Sequence, residues 1–167
     1  MGSNKPTRNF LITRTINAPR DLVFKAWTDL EDFKHWWGPK GCTIGICKMD
    51  VRPSGTLLYS IRMPDGGEMR GKFVYREILP PDRLVFVNSF SDEDGNIVRA
   101  PFDPMWPLQV LNTVTFSEQF GQTILTFLGT PIDATAEEWQ TFDSFLDSMH
   151  KGFSGTFDHL EGYLAKK

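Results

Sequence analysis

From Ala134 to Leu164 the chain carries an apolar stripe. Trp139, Phe142, Leu146, Met149, Phe153, Phe157, Leu160 and Leu164 follow one another at spacings of three or four. That is the period of one face of an α-helix, and it predicts a single continuous helix. Rings at that density on one face need an apolar partner. Between Thr43 and Leu128 the sequence reads instead as short strands separated by Gly, Pro and Asp turns. The sheet they form is the only surface large enough to take the helix. A helix laid across a curved antiparallel sheet leaves space between the two, and function is expected in that space.

The chain has 167 residues, enough for one domain with a sizeable core. No linker-like stretch divides it, so residues 8–167 are expected to fold as one unit, with 1–7 as a disordered polar tail. It has 18 Lys plus Arg against 21 Asp plus Glu, without the basic stripe of a nucleic-acid binder. No apolar run reaches the length of a membrane span, and the polar start does not look like a secretory signal. A cytoplasmic location is expected. Cys42 and Cys47 stand five apart in a strand-like run, which points their side chains to opposite faces and argues against a disulfide.

Phe10 to Asn17 alternates as a first strand, ended by Ala18-Pro19. Pro19 suits the first turn of a helix with Leu22, Val23, Ala26 and Trp27 on one face, and Asn17 is a nearby cap candidate. Thr28-Asp29 caps a second short helix that Gly38-Pro39 stops. Strands are expected near 43–51, 55–62, 68–78, 83–90, 109–117 and 123–129. The stretch Asp92 to Pro107 is expected as a long loop of functional weight. Thr135 followed by Glu138 has the form of a capping box for the last helix. Gly152 and Gly155 within that helix are expected to let it approach the sheet closely, with room for a ligand or a bend as the second reading.

No phosphate loop, nucleophile elbow or metal-ligand spacing is present, and no cofactor is called for. His150 flanks the stripe between Met149 and Phe153, where it either packs locally as a partly exposed ring, the preferred reading, or reaches into a cavity as an acid or base. His159 should face solvent, and His35 should act locally at the end of its short helix. Alternation puts Leu57, Tyr59 and Ile61 on one strand face, Met69, Phe73 and Tyr75 on another, and Leu84, Phe86, Asn88 and Phe90 on a third. The more aromatic faces should point inward. The expected pocket lining is then Trp37, Tyr59, Phe73, Tyr75, Phe86, Asn88, Trp106, Phe127, Met149, His150 and Phe153. If the chain is a catalyst instead, its candidate groups are His150, Tyr59, Tyr75 and Glu77, and they must converge on one cavity.

Several ordered segments carry a family resemblance. They are Ile16-Asn17-Ala18-Pro19 with Val23-Phe24, Trp37-Gly38-Pro39, Arg52-Pro53-Ser54-Gly55, Pro64-Asp65-Gly66, Tyr75-Arg76-Glu77-Ile78, Pro80-Pro81-Asp82-Arg83-Leu84-Val85, and Gly152-Phe153 through Leu160. In that order the chain resembles the SRPBCC (START/polyketide-cyclase-like) superfamily, in the branch related to the activator of the 90-kDa heat-shock protein's ATPase. The resemblance implies an α+β helix-grip fold: a curved antiparallel sheet wrapped around a long C-terminal helix, with two short helices after the first strand. Ser54 stands where that family usually carries a glycine. Three functions follow in order of expectation: binding of a small hydrophobic or aromatic ligand, a cyclase, dehydratase or hydrolase activity on a hydrophobic substrate, and a chaperone-activating contact tied to stress response. The third ranks last because the eukaryotic activators carry a further N-terminal domain for that contact. Oligomeric state is left open.

Overall fold

The computed structural model describes residues 8–38 and 41–167, apart from the side chains of residues 46 and 47. The expected tail over 1–7, Pro39 and the Cys47 side chain lie outside the described residues. Cys42 is a free thiol, with its sulfur 3.5 Å from that of Met63.

Strand β1 (Phe10–Ile16) leads into helix α1 (Arg20–Thr28) and the short α2 (Leu30–Phe33). Strands β2 (Thr43–Met49), β3 (Thr56–Arg62), β4 (Glu68–Leu79) and β5 (Arg83–Ser91) follow, then the two-residue β6 (Ile97–Val98). The chain closes with β7 (Val110–Gln119), β8 (Gln122–Pro131), α3 (Ala136–Ser144) and α4 (Leu146–Ala165). The strands form one curved antiparallel sheet in the order β1-β8-β7-β5-β4-β3-β2, and β6 pairs with the end of β5. This is the α+β helix-grip architecture.

Alternation along the strands turns one side of the sheet toward the helices. Phe73 and Phe86, on adjacent strands, stack at 4.0 Å between ring centroids beneath Trp27 of α1. Phe127 of β8 meets Phe153 of α4 at 4.7 Å. Phe142, Leu146, Phe157, Leu160 and Leu164 of the stripe are buried, while Met149 and Phe153 are only half-buried. The stripe therefore meets the packed core at its two ends and something less full in the middle.

The stripe is not one helix. Phe145 breaks it, with φ −97° and ψ 2°, and its N–H bonds back to Phe142 in the tighter turn of a helix end. No Gly or Pro marks the place. The Phe145 ring packs against Phe102 and Trp106 of the loop before β7, and the bend lets α3 cover that loop while α4 crosses the sheet. The Thr135–Glu138 capping box forms as the spacing predicts. The Asn17 cap does not: α1 opens at Pro19 with no side-chain cap. Gly152 does not bring helix and sheet together either, because a Cβ there would meet nothing within 4 Å.

Charged groups hold the C-terminal half of α4. Arg14 of β1 bonds to Asp158 and, at 3.0 Å, to Glu161. Near the C-terminus, buried Asp32 accepts from Tyr163, from Lys25 at 2.7 Å and from Lys167 at 2.8 Å. Burial works against its charge, yet the bonds from Lys167, Lys25 and Tyr163 hold the carboxyl well below its usual range.

Candidate functional site

The middle of the stripe faces a hollow of about 260 Å³ between α4 and strands β5, β7 and β8. Its apolar walls are Phe90, Val110, Phe127, Phe153 and Met149, with Phe102, Trp106 and Phe145 across one end. Its polar groups are Tyr59, Asn88, Asn112, Ser89 and Ser148. A second, smaller hollow of about 170 Å³ lies on the other side of Tyr59, Met149 and Phe153, walled by Trp37, Gly38, Ile61, Gly152 and Thr156. The missing side chain at Gly152 is part of that space.

Tyr59 reaches the larger hollow because of Gly71. The two are direct cross-strand partners on β3 and β4, and a Cβ on Gly71 would lie 2.3 Å from the Tyr59 ring. The ring therefore lies flat over the glycine, crosses β4 and brings its hydroxyl to 3.5 Å from Asn88 Oδ1 on β5. Burial pushes the Tyr59 phenol up to about 12, against the opposing influence of Trp37 and Asn88. It stays neutral, with a proton to donate. Asn112 sits on β7 between Val110 and Val114, where alternation calls for an apolar residue, and it is buried. Its amide bonds only to the Val110 carbonyl, at the outer limit of 3.5 Å.

The end wall is strapped in place. Arg99 donates to buried Glu138 of α3 and, at 3.2 Å, to the Trp106 carbonyl. The guanidinium of Arg99 holds the Glu138 carboxyl below its usual range, helped by the Thr135 N–H. One acidic side chain thus caps α3 and ties down the segment that presents Phe102 and Trp106.

Residues 17–165 match the family described as activator of Hsp90 ATPase homolog 1-like protein. The chain belongs to that family. Several solved structures share the fold over nearly the whole length. A protein from Mycobacterium smegmatis is 26% identical with a TM-score of 0.78, over 95% of this chain and 91% of that one. One from Arthrobacter aurescens is 24% identical with a TM-score of 0.79, over 95% and 87%. The AHSA1 protein from Silicibacter pomeroyi is 15% identical with a TM-score of 0.71, over 95% and 98%. No functionally curated protein matches the sequence significantly.

In this AHSA1-like chain, six of the expected lining residues come together at the larger hollow: Tyr59, Asn88, Trp106, Phe127, Met149 and Phe153. Trp37 walls the smaller one. Phe73, Tyr75 and Phe86 do not line either; they are packed in the core, and the Tyr75 hydroxyl has no hydrogen-bond partner. His150 is exposed, with its ring 4.8 Å from that of Phe10 at the β1 edge and turned away from the hollows. His35 stacks on Tyr163, while His159 is half-buried rather than free in solvent.

The four candidate catalytic groups do not converge. Strict alternation would put Glu77 on the face of Tyr75, but the β4–β5 register shifts between them. The bulge turns Glu77 outward, where it pairs with Arg83 at 2.6 Å. Lining residues of the larger hollow missed from the sequence are Phe90, Asn112, Val110, Phe102, Phe145 and the two serines. Asn112 carried a signal, as a lone amide at an inward strand position. Phe102 and Phe145 carried none, because loop folding and the helix break place them. Among the described residues, no cluster of His, Cys, Asp or Glu is arranged to hold a metal ion, and no helix is long and apolar enough to cross a membrane.

Proposed function

We propose that this protein binds a small hydrophobic or aromatic molecule between the sheet and α4. The observation that carries the reading is the larger hollow itself, about 260 Å³ walled by rings, with a few polar groups facing in. Small-molecule sites combine apolar walls and sparse polar groups in this way. The volume lies just below the ~300–1,000 Å³ of sites for drug-sized ligands, which suits a molecule of about two fused rings. The test is thermal melting of the full chain against the neutral aromatic probe N-phenyl-1-naphthylamine and a broad set of apolar and aromatic compounds. A ligand at about a hundred times its Kd adds about 2.7 kcal/mol, and Tm should rise by about 5–10 °C. No shift across the whole set overturns the proposal.

A contact with a chaperone is the second reading. It is favoured by the family's name and by exposed apolar residues along one segment: Ile97, Val98, Phe102, Met105 and Leu108. Titration into an Hsp90-type ATPase assay tests it. Stimulation that Phe102→Ser weakens supports the contact, and an unchanged ATPase rate removes it.

A further inference from the structure

The hollow holds an unusual set of polar groups. None of its lining residues is Asp, Glu, Lys, Arg or His, so an ionised ligand would find no opposite charge there. Burying an unpaired charge is far more costly than burying a neutral polar group. Two carboxamides and a phenol nevertheless face into the space, and they are poorly used. A carboxamide can take part in about four hydrogen bonds. Asn112 makes one, at 3.5 Å, although it is buried, and Asn88 makes one, also at 3.5 Å.

Their register explains how they act together. Phe86 pairs with Asn112 and Asn88 with Val110, so the two amides are diagonal neighbours on the inner faces of β5 and β7. Tyr59 arrives at the same place across Gly71. Buried polar groups in folded proteins are normally well bonded, and groups left with spare capacity beside a hollow are suited to a ligand. The amides supply both donors and acceptors, and the neutral Tyr59 phenol supplies either. Their natural complement is a neutral group that itself donates and accepts, on a flat apolar body that fits the rings around it.

We infer that Asn88, Asn112 and Tyr59 select an uncharged aromatic ligand bearing one phenol-like or lactam-like group, and that the site rejects ionised carboxylic acids and amines. The inference rests on the binding function proposed above and names its ligand class. Asn88 and Asn112 are the specificity-determining residues. The rings supply affinity, while the amides supply discrimination, because a hydrogen-bonding site penalises an analogue that leaves its buried groups unpaired.

A matched series on the full chain tests this by calorimetric titration at neutral pH: naphthalene, 2-naphthol and 2-naphthoate. The three share one bicyclic body and differ in a single substituent. 2-Naphthol should bind at least tenfold tighter than naphthalene, and 2-naphthoate, ionised at that pH, should bind weakest. Asn112→Leu and Asn88→Leu should each shrink the ratio of 2-naphthol to naphthalene affinity toward one. Naphthoate equal to or tighter than naphthol overturns the inference, as does a naphthol preference that survives both substitutions. The wild-type ranking decides the matter even if a variant does not fold. Binding of naphthalene without any preference sinks the selection alone, whereas binding of none of the three sinks the binding function with it.

Discussion

At the scale of single residues, the site depends on places where a side chain is missing or out of character. Gly71 has no Cβ, so Tyr59 can lie across β4 and reach Asn88. Asn112 puts an amide where its strand neighbours are Val110 and Val114. Ser54 is out of character in another way. It holds φ 69° in the turn before β3, between backbone bonds that join residues 54 and 55 to Tyr75. A residue with a Cβ is strained there by about 1–2 kcal/mol, and glycine is not. Glycine also gains more freedom when unfolded, which offsets part of the benefit. Ser54→Gly should therefore stabilise the chain by about 0.5–1 kcal/mol, seen as a higher urea midpoint with an unchanged slope. A lower midpoint would show that the Ser54 side chain contributes more than its backbone strain costs.

At the scale of elements, the segment between β6 and β7 behaves as a strap over one end of the larger hollow. The link from Arg99 to Glu138 fixes it to α3, and the rings of Phe102 and Trp106 close against Phe145. Arg99 is 44% exposed, and buried Glu138 keeps its bond from the Thr135 N–H when Arg99 is lost, which limits the cost to global stability. Its effect should be kinetic. Arg99→Met should speed release of N-phenyl-1-naphthylamine several-fold in stopped-flow displacement, with Tm lowered by no more than a few degrees. An unchanged release rate would show that the ligand leaves by another route, of which the gap at Gly152 is the obvious one. The break at Phe145 belongs to the same scale. A stripe of period 3.6 specifies which face is buried, but it does not specify whether the helix stays straight, because Phe is acceptable both inside a helix and at its end.

At the scale of the whole molecule, the pH dependence of stability has two sides. The Asp32 carboxyl is depressed by its bonds to Lys167, Lys25 and Tyr163, so its contribution is present above the ordinary carboxylate value near 4 and is lost as pH falls below it. The Tyr59 phenol is raised to about 12 by burial, so its neutral form stabilises the fold up to about pH 10 and that contribution is lost between about pH 10 and 12. Urea titrations across pH should show both slopes. Asp32→Asn should flatten the acid limb, and an acid limb identical in the variant would rule out Asp32 as its source.

The periods of 3.6 and two in the sequence were sufficient for the seven long strands in order, the two short helices after the first of them and the buried face of the terminal stripe, but not for β6 or for the division of that stripe into α3 and α4. These follow from local chemistry, because hydrophobic periodicity and turn residues act within a few positions of themselves. The larger hollow's apolar wall was legible for the same reason, through Phe127, Met149 and Phe153. Tertiary structure decided the rest. It set the bulge that turned Glu77 away from Tyr75, the break at Phe145, the strap that brought Phe102 in beside the expected Trp106, and the passage of Tyr59 over Gly71. Each of these depends on how distant segments share space, and no stretch of neighbouring residues contains that information.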